Sequence, residues 1–121
     1  MSEPLLFPNS HGAEDPERAT VPFIAAATAA VSGRHAIVIC TVEAVNLGLP
    51  GVADDIEEEG MPPLGDLVRQ LADAGGEIWL CSACALKRGI TGDQELVPGA
   101  RIVGAATIVE ALTQGRAITL S

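Results

Sequence analysis

Apolar residues fall along the chain in two alternating patterns, short unbroken runs and longer stretches with helical spacing. The runs are Leu5-Leu6-Phe7, an Ala36–Val42 core within a segment from His35 to Val45, Ile78-Trp79-Leu80-Cys81, Arg101-Ile102-Val103-Gly104, and Ala117-Ile118-Thr119-Leu120. Such runs predict strands buried on both faces of a parallel sheet. Between them Phe23, Ile24, Ala27 and Val31 recur at helical spacing, as do Leu64, Leu67, Val68 and Leu71. Asp15-Pro16 reads as a cap and first helical residue, but Pro22 would then lie deep in a helix. The pattern therefore predicts a turn at 15–19 and a helix from about Thr20, closed by Gly33. Ser82 to Arg88 reads as a short helix stopped by Gly89, and Thr107-Ile108-Val109-Glu110 as a capping box opening a helix that buries Ile108, Val109 and Leu112.

The resulting order, β-α-β-α-β-α-β-α-β, predicts a single α/β domain over residues 1–121. Its mostly parallel five-stranded sheet is covered by helices on both faces, giving three layers. The pattern does not set the strand order. Residues 46–63 form a long connection punctuated by Gly48, Pro50, Gly51, Gly60, Pro62 and Pro63, and a loop of that length is usually functional or mobile. Functional groups in such sheets collect beyond the carboxyl ends of the strands. That edge gathers the 8–12 loop, the 46–63 connection and Cys81.

Charge narrows the choice of partner. The formal net charge is -9 and the seven basic residues are scattered, which disfavours direct binding to nucleic acid or to an anionic membrane. Asp54, Asp55, Glu57, Glu58 and Glu59 concentrate part of the excess, as a solvated face or a docking surface for a basic partner. No apolar run is long enough to span a bilayer. Three cysteines with no signal peptide ahead of them predict a reducing cytoplasm and no disulfide scaffold.

Two of those cysteines carry the candidate chemistry. Cys81 stands where a strand hands over to a helix, and N–H groups at a helix start favour thiolate over thiol. Free cysteine titrates at about 8.5, whereas helix N-termini and Cys-x-x-Cys settings bring it to roughly 3.5 to 7.5. Cys84 lies on the same face one turn on, so the pair could form a disulfide, pass a sulfur atom, or serve only as small buried side chains. Cys40, inside an apolar run, is expected in the core. Zinc would need four ligands where this pair supplies two, so no metal and no cofactor are expected. His35 enters its strand at the far end of the sheet and is given no role.

With these features laid out, the chain resembles the DsrE/DsrF-like family, which includes the sulfur-relay subunit TusD. The resemblance runs from Leu5 to Leu120, most tellingly in Gly75-Gly76-Glu77-Ile78-Trp79-Leu80-Cys81 and Ala85-Leu86-Lys87-Arg88-Gly89-Ile90. It implies a three-layer α/β/α domain, assembly into homotrimers or hexamers, and a persulfide carried on Cys81 between donor and acceptor proteins. Those relatives serve sulfur oxidation or tRNA thiolation, and some keep only the first cysteine. Three functions follow as alternatives: sulfur transfer by Cys81 with help from Cys84, thiol-disulfide redox chemistry by the same pair, or a non-catalytic small-ligand-binding or assembly module. In topologies of this kind the first strand is central, so the Asn9–Gly12 loop is expected beside Cys81. His11 would then be the one side chain there that exchanges protons near pH 7.

Overall fold

The computed structural model describes residues 3–120. Five strands, β1 (Leu5–Asn9), β2 (Ala36–Cys40), β3 (Glu77–Cys81), β4 (Ala100–Val103) and β5 (Arg116–Ala117), form one sheet. They are parallel throughout, in the order β4-β3-β2-β1-β5. Four helices alternate with them: α1 (Pro16–Val31), α2 (Leu64–Asp73), α3 (Ser82–Lys87) and α4 (Ala105–Gln114). The register pairs Asn9 with Cys40, Cys40 with Leu80, and Cys81 with Val103. The carboxyl ends of β1 to β4 therefore share one edge, and β2 stands between β1 and β3.

Alternation along each strand divides the sheet into two faces. Leu5, Phe7, Val38, Cys40, Ile78 and Leu80 form the main core with Phe23, Ala26, Ala27 and Ala30 of α1 and Leu64, Leu67, Val68 and Leu71 of α2. Leu6, Ile37, Ile39, Trp79 and Val103 face the other way, against Ile108 and Ala111 of α4. The α/β class, the parallel five-stranded sheet and helices on both faces are as the pattern predicts.

Boundaries differ from expectation in several places, each for a local reason. Helix α1 starts at Pro16, because the Asp15 side chain accepts from the Arg18 N–H at 3.1 Å and proline suits the first helical position. Pro22 is thus interior; its missing N–H costs on the order of 3 kcal/mol, offset by a face on which Ala19, Thr20, Phe23 and Ala26 are fully buried. Strand β2 ends at Cys40, and Val42 at φ 52° turns the chain into a 3-10 helix, Val42–Gly48. The apolar residues assigned to the strand's end, Ala44 and Val45, are buried from that helix instead. The 46–63 connection is partly ordered by this helix and by a second 3-10 turn, Ala53–Asp55.

The carboxyl-terminal part departs most. Helix α4 is capped by Gly104, which puts Thr107 at its third position with no side-chain cap, so the predicted capping box does not form. Ile108 packs on the sheet, but Val109 is 59% and Leu112 41% exposed, and on α1 Val31 is 60% exposed. Strand β5 is only two residues, although the Ile118 N–H still donates to the Leu6 carbonyl at 2.8 Å. No helix among the described residues is long and apolar enough to cross a membrane.

Candidate functional site

Cys81 is the last residue of β3 and the N-cap of α3, so its extended backbone (φ -60°, ψ 124°) leads directly into the first helical turn. The Cys81 side chain itself closes no capping hydrogen bond in that turn. Its thiol lies below the ordinary cysteine range: the Cys84 N–H contributes most, partial burial works against it, and the Ala83 N–H and the Cys84 thiol add to the lowering. Cys81 and Cys84 are both free and partly exposed. Cys40 is fully buried on β2, where burial pushes its thiol up to about 12. Burial thus separates Cys40, in the core as its apolar run predicts, from the two partly exposed cysteines.

Helix α3 ends in a Schellman motif that accounts for Arg88-Gly89-Ile90. The Gly89 N–H donates to the Leu86 carbonyl at 3.1 Å and the Ile90 N–H to the Ala85 carbonyl at 2.9 Å. Gly89 takes the left-handed conformation, φ 73°, that this stop requires, and Ile90 and Ala85 are both buried. Arg88 closes the site. Its Nη1 donates to the Cys84 carbonyl at 3.2 Å, while Nε and Nη2 donate to Glu43 Oε2 at 3.0 and 2.7 Å.

Glu43, the second residue of the 3-10 helix after β2, was not singled out by sequence reasoning, because its segment read as strand. An acidic residue just beyond a strand's carboxyl end was the available signal.

His11 occupies the β1 exit. Asn9, buried there, donates from Nδ2 to the Ala19 carbonyl at 3.2 Å and accepts the His11 N–H at 3.0 Å, which fixes the loop's course. The His11 ring pairs with Glu14 through Nδ1 at 2.7 Å. Because β2 intervenes, the exits of β1 and β3 stand two strand spacings apart, about 10 Å. The first strand is therefore not the direct neighbour of the cysteine strand. Cys81 and Cys84 are brought together; His11 lies on the same edge with Glu14 as its partner. Gly12, next to it, abuts the Glu43 backbone, where a Cβ would come within 2.7 Å of the Glu43 carbonyl oxygen.

Four surface hollows, one of about 690 Å³ beside α1 and α2, have none of the three cysteines in their lining. Among the described residues no three His, Cys, Asp or Glu side chains stand together as a metal site. Cys81 and Cys84 lie partly exposed on this edge.

A family model for the DsrE/DsrF-like family matches residues 4–120. The chain belongs to the DsrE/DsrF-like family. Membership in the DsrE/DsrF-like family suggests sulfur-relay-like function at the level of the family, whose proteins typically act with partner proteins. Among curated proteins, the uncharacterized protein MJ0760 of Methanocaldococcus jannaschii is 30% identical over 110 residues. That match covers 91% of this chain and only 40% of the relative. Among solved structures, YchN from E. coli superposes with a TM-score of 0.79 at 18% identity, covering 99% of this chain and 100% of that one. MTH1491 from Methanobacterium thermoautotrophicum gives 0.71 at 18% identity with the same coverages. These two likenesses establish the fold.

Proposed function

We propose that this DsrE/DsrF-like chain is a sulfur carrier in which Cys81 holds sulfane sulfur as a persulfide. The observation that carries it is Cys81 itself, partly exposed at the strand edge where it caps α3, with a thiol lowered by the Cys84 and Ala83 peptide N–H groups. In the loading step the Cys81 thiolate attacks the outer sulfur of a donor persulfide. The donor's S–S bond breaks, the donor leaves as a thiolate, and a new S–S bond forms on Cys81. An acceptor thiolate attacking that outer sulfur then removes it and returns Cys81 as thiolate, with no net oxidation. Donor and acceptor are protein thiols in this scheme, since a partly exposed Cys81 suits a macromolecular partner.

Cys84 allows a second outcome. If its thiolate attacks the Cys81 sulfur, the pair becomes a disulfide and the outer sulfur leaves as sulfide, so two thiols are oxidised while sulfane sulfur is reduced. A reductant thiol must then reset the pair. Thiol-disulfide chemistry without sulfur uptake uses the same two residues, favoured by Cys84 standing in the first turn of the helix that Cys81 caps, with both partly exposed. His11 is a candidate proton donor only when its ring leaves Glu14 and reaches past β2, within one subunit or across a contact between subunits. A His11→Asn variant with unchanged loading and release rates removes it from the mechanism.

We further propose a cytoplasmic homotrimer or hexamer, supported by the family and by the exposed apolar residues Val31, Val109 and Leu112. Incubation with inorganic polysulfide followed by peptide mass analysis tests the carrier role. A gain of one sulfur on the Cys81 peptide, transient in the wild type and persistent in Cys84→Ala, supports it; a disulfide in the wild type with no sulfur gained by Cys84→Ala supports redox chemistry instead.

A further inference from the structure

Resting on Cys81 as the working thiol, we propose that Glu43 and Arg88 are positioning residues that clamp α3 to the β2 exit and so fix its first turn against Cys81, the residue that caps it. Helix α3 has six residues, of which only Ala85 is buried. A helix that short does not hold itself in water, so its orientation must come from contacts outside it. Arg88 supplies one from each side of its guanidinium: the Cys84 carbonyl in the turn that holds the cysteines, and Glu43 on the neighbouring strand's exit. The Cys84 carbonyl's α-helical partner would be the Arg88 N–H, which bonds the Ala85 carbonyl instead at 3.0 Å. The Arg88 side chain takes that carbonyl. A planar fork can hold both groups at once, where a lysine ammonium could not in the same geometry.

Glu43 is placed for this by an unfavourable backbone. Val42 is the one described non-glycine residue with positive φ, at 52°, and a branched side chain there is strained. Such strain persists only where the surroundings enforce it, and it clusters at functional sites. The β1 exit braces the same point, since Gly12 leaves room for the Glu43 carbonyl that a Cβ would fill. The Arg88 side chain is 17% exposed and that of Glu43 42%, so the pair is half-sheltered. Other charged groups on this edge are Lys87, exposed on α3, and the His11–Glu14 pair at the β1 exit.

Charge and position predict opposite signs, which makes the proposal testable. As a mere charge, the Glu43 carboxylate disfavours a nearby thiolate; as the anchor of Arg88 it favours one. Alkylation of Cys81 by iodoacetamide at pH 7, followed by peptide mapping, reads the difference in the full chain without any sulfur donor. Glu43→Ala and Arg88→Met should each slow the reaction about three- to fivefold, the scale of a half-exposed ion pair, and the double variant should be no slower than either alone. Glu43→Gln, which keeps an acceptor for Arg88, should stay within about twofold. Arg88→Lys, which keeps the charge and loses the fork, should slow it. Faster alkylation in Glu43→Ala or Glu43→Gln with Arg88→Lys at the wild-type rate would overturn the clamp in favour of charge alone. Unchanged rates in all four would overturn it outright. If Glu43→Ala or Arg88→Met loses the folded far-UV signal, Glu43→Gln and Arg88→Lys decide. Failure of the wild type to take up sulfur would count against the carrier role and leave this test intact.

Discussion

Replacing Cys84 with alanine separates the peptide backbone from the side chain as the source of Cys81 reactivity. The Cys84 N–H, the largest contribution to the lowered thiol, survives the substitution, as does the Ala83 N–H. Only the Cys84 thiol is lost, and an S–H is a weak donor. Taking the low end of a net hydrogen bond, about 0.5 kcal/mol, its removal should slow Cys81 alkylation at pH 7 by only about twofold. A free cysteine, at about 8.5, would be on the order of 3% thiolate at that pH. The assay is the pH dependence of iodoacetamide labelling at the Cys81 peptide, compared with an unstructured cysteine peptide. If Cys84→Ala brings Cys81 to the behaviour of that peptide, the thiol pair holds the charge and the backbone donors do not. Cys84→Ala should also still accept sulfur from polysulfide, because loading needs Cys81 alone.

Four further outcomes are expected. Timed alkylation should label Cys81 first and Cys84 second, with Cys40 resisting until the chain unfolds, since burial pushes its thiol up to about 12. Leu80→Ala, which empties a fully buried position in β3, should lower unfolding stability by about 2 to 5 kcal/mol in urea titration, and a loss well under 1 kcal/mol would argue against this packing. At the opposite sheet edge, burial raises the Glu77 carboxyl, but hydrogen bonds from His35 and Trp79 and the charges of His35 and Arg101 leave it below its ordinary value. A lowered folded value contributes stability above the unfolded value, about 4.3, that is lost as pH falls through the folded one. Glu77→Gln should therefore flatten the acid limb of stability measured from pH 6 to 3, and an unchanged limb would contradict the assignment. Light scattering at micromolar concentration should report a trimer or hexamer, whereas a monomer would remove the proposed assembly.

The sequence pattern foretold the parallel sheet because its strands are buried on both faces, which leaves unbroken apolar runs. It foretold the placement of Cys81 because the run ends there and a helix with a glycine stop begins. The Schellman stop was visible as Gly89, while the work of Arg88 was not, since a side chain's reach across 45 positions to Glu43 leaves no local signal. Ala44 and Val45 misled because buried apolar residues read the same in a strand and in a 3-10 helix. Pro22 misled in the opposite sense: intrinsic preference put the helix start near Thr20, and the Asp15 cap and the buried face of α1 carry the helix through from Pro16. The expected neighbourhood of His11 rested on strand order, which periodicity does not contain, and β2 proved to lie between.

The most direct measurement is the mass of the Cys81 peptide after the purified wild-type chain has been exposed to inorganic polysulfide and the excess removed. A carrier should show one added sulfur on Cys81, in the wild type transiently and in Cys84→Ala persistently, released on addition of an acceptor thiol. Absence of added sulfur on Cys81 in both chains, with the thiol intact and still alkylated fastest, would contradict the proposed function.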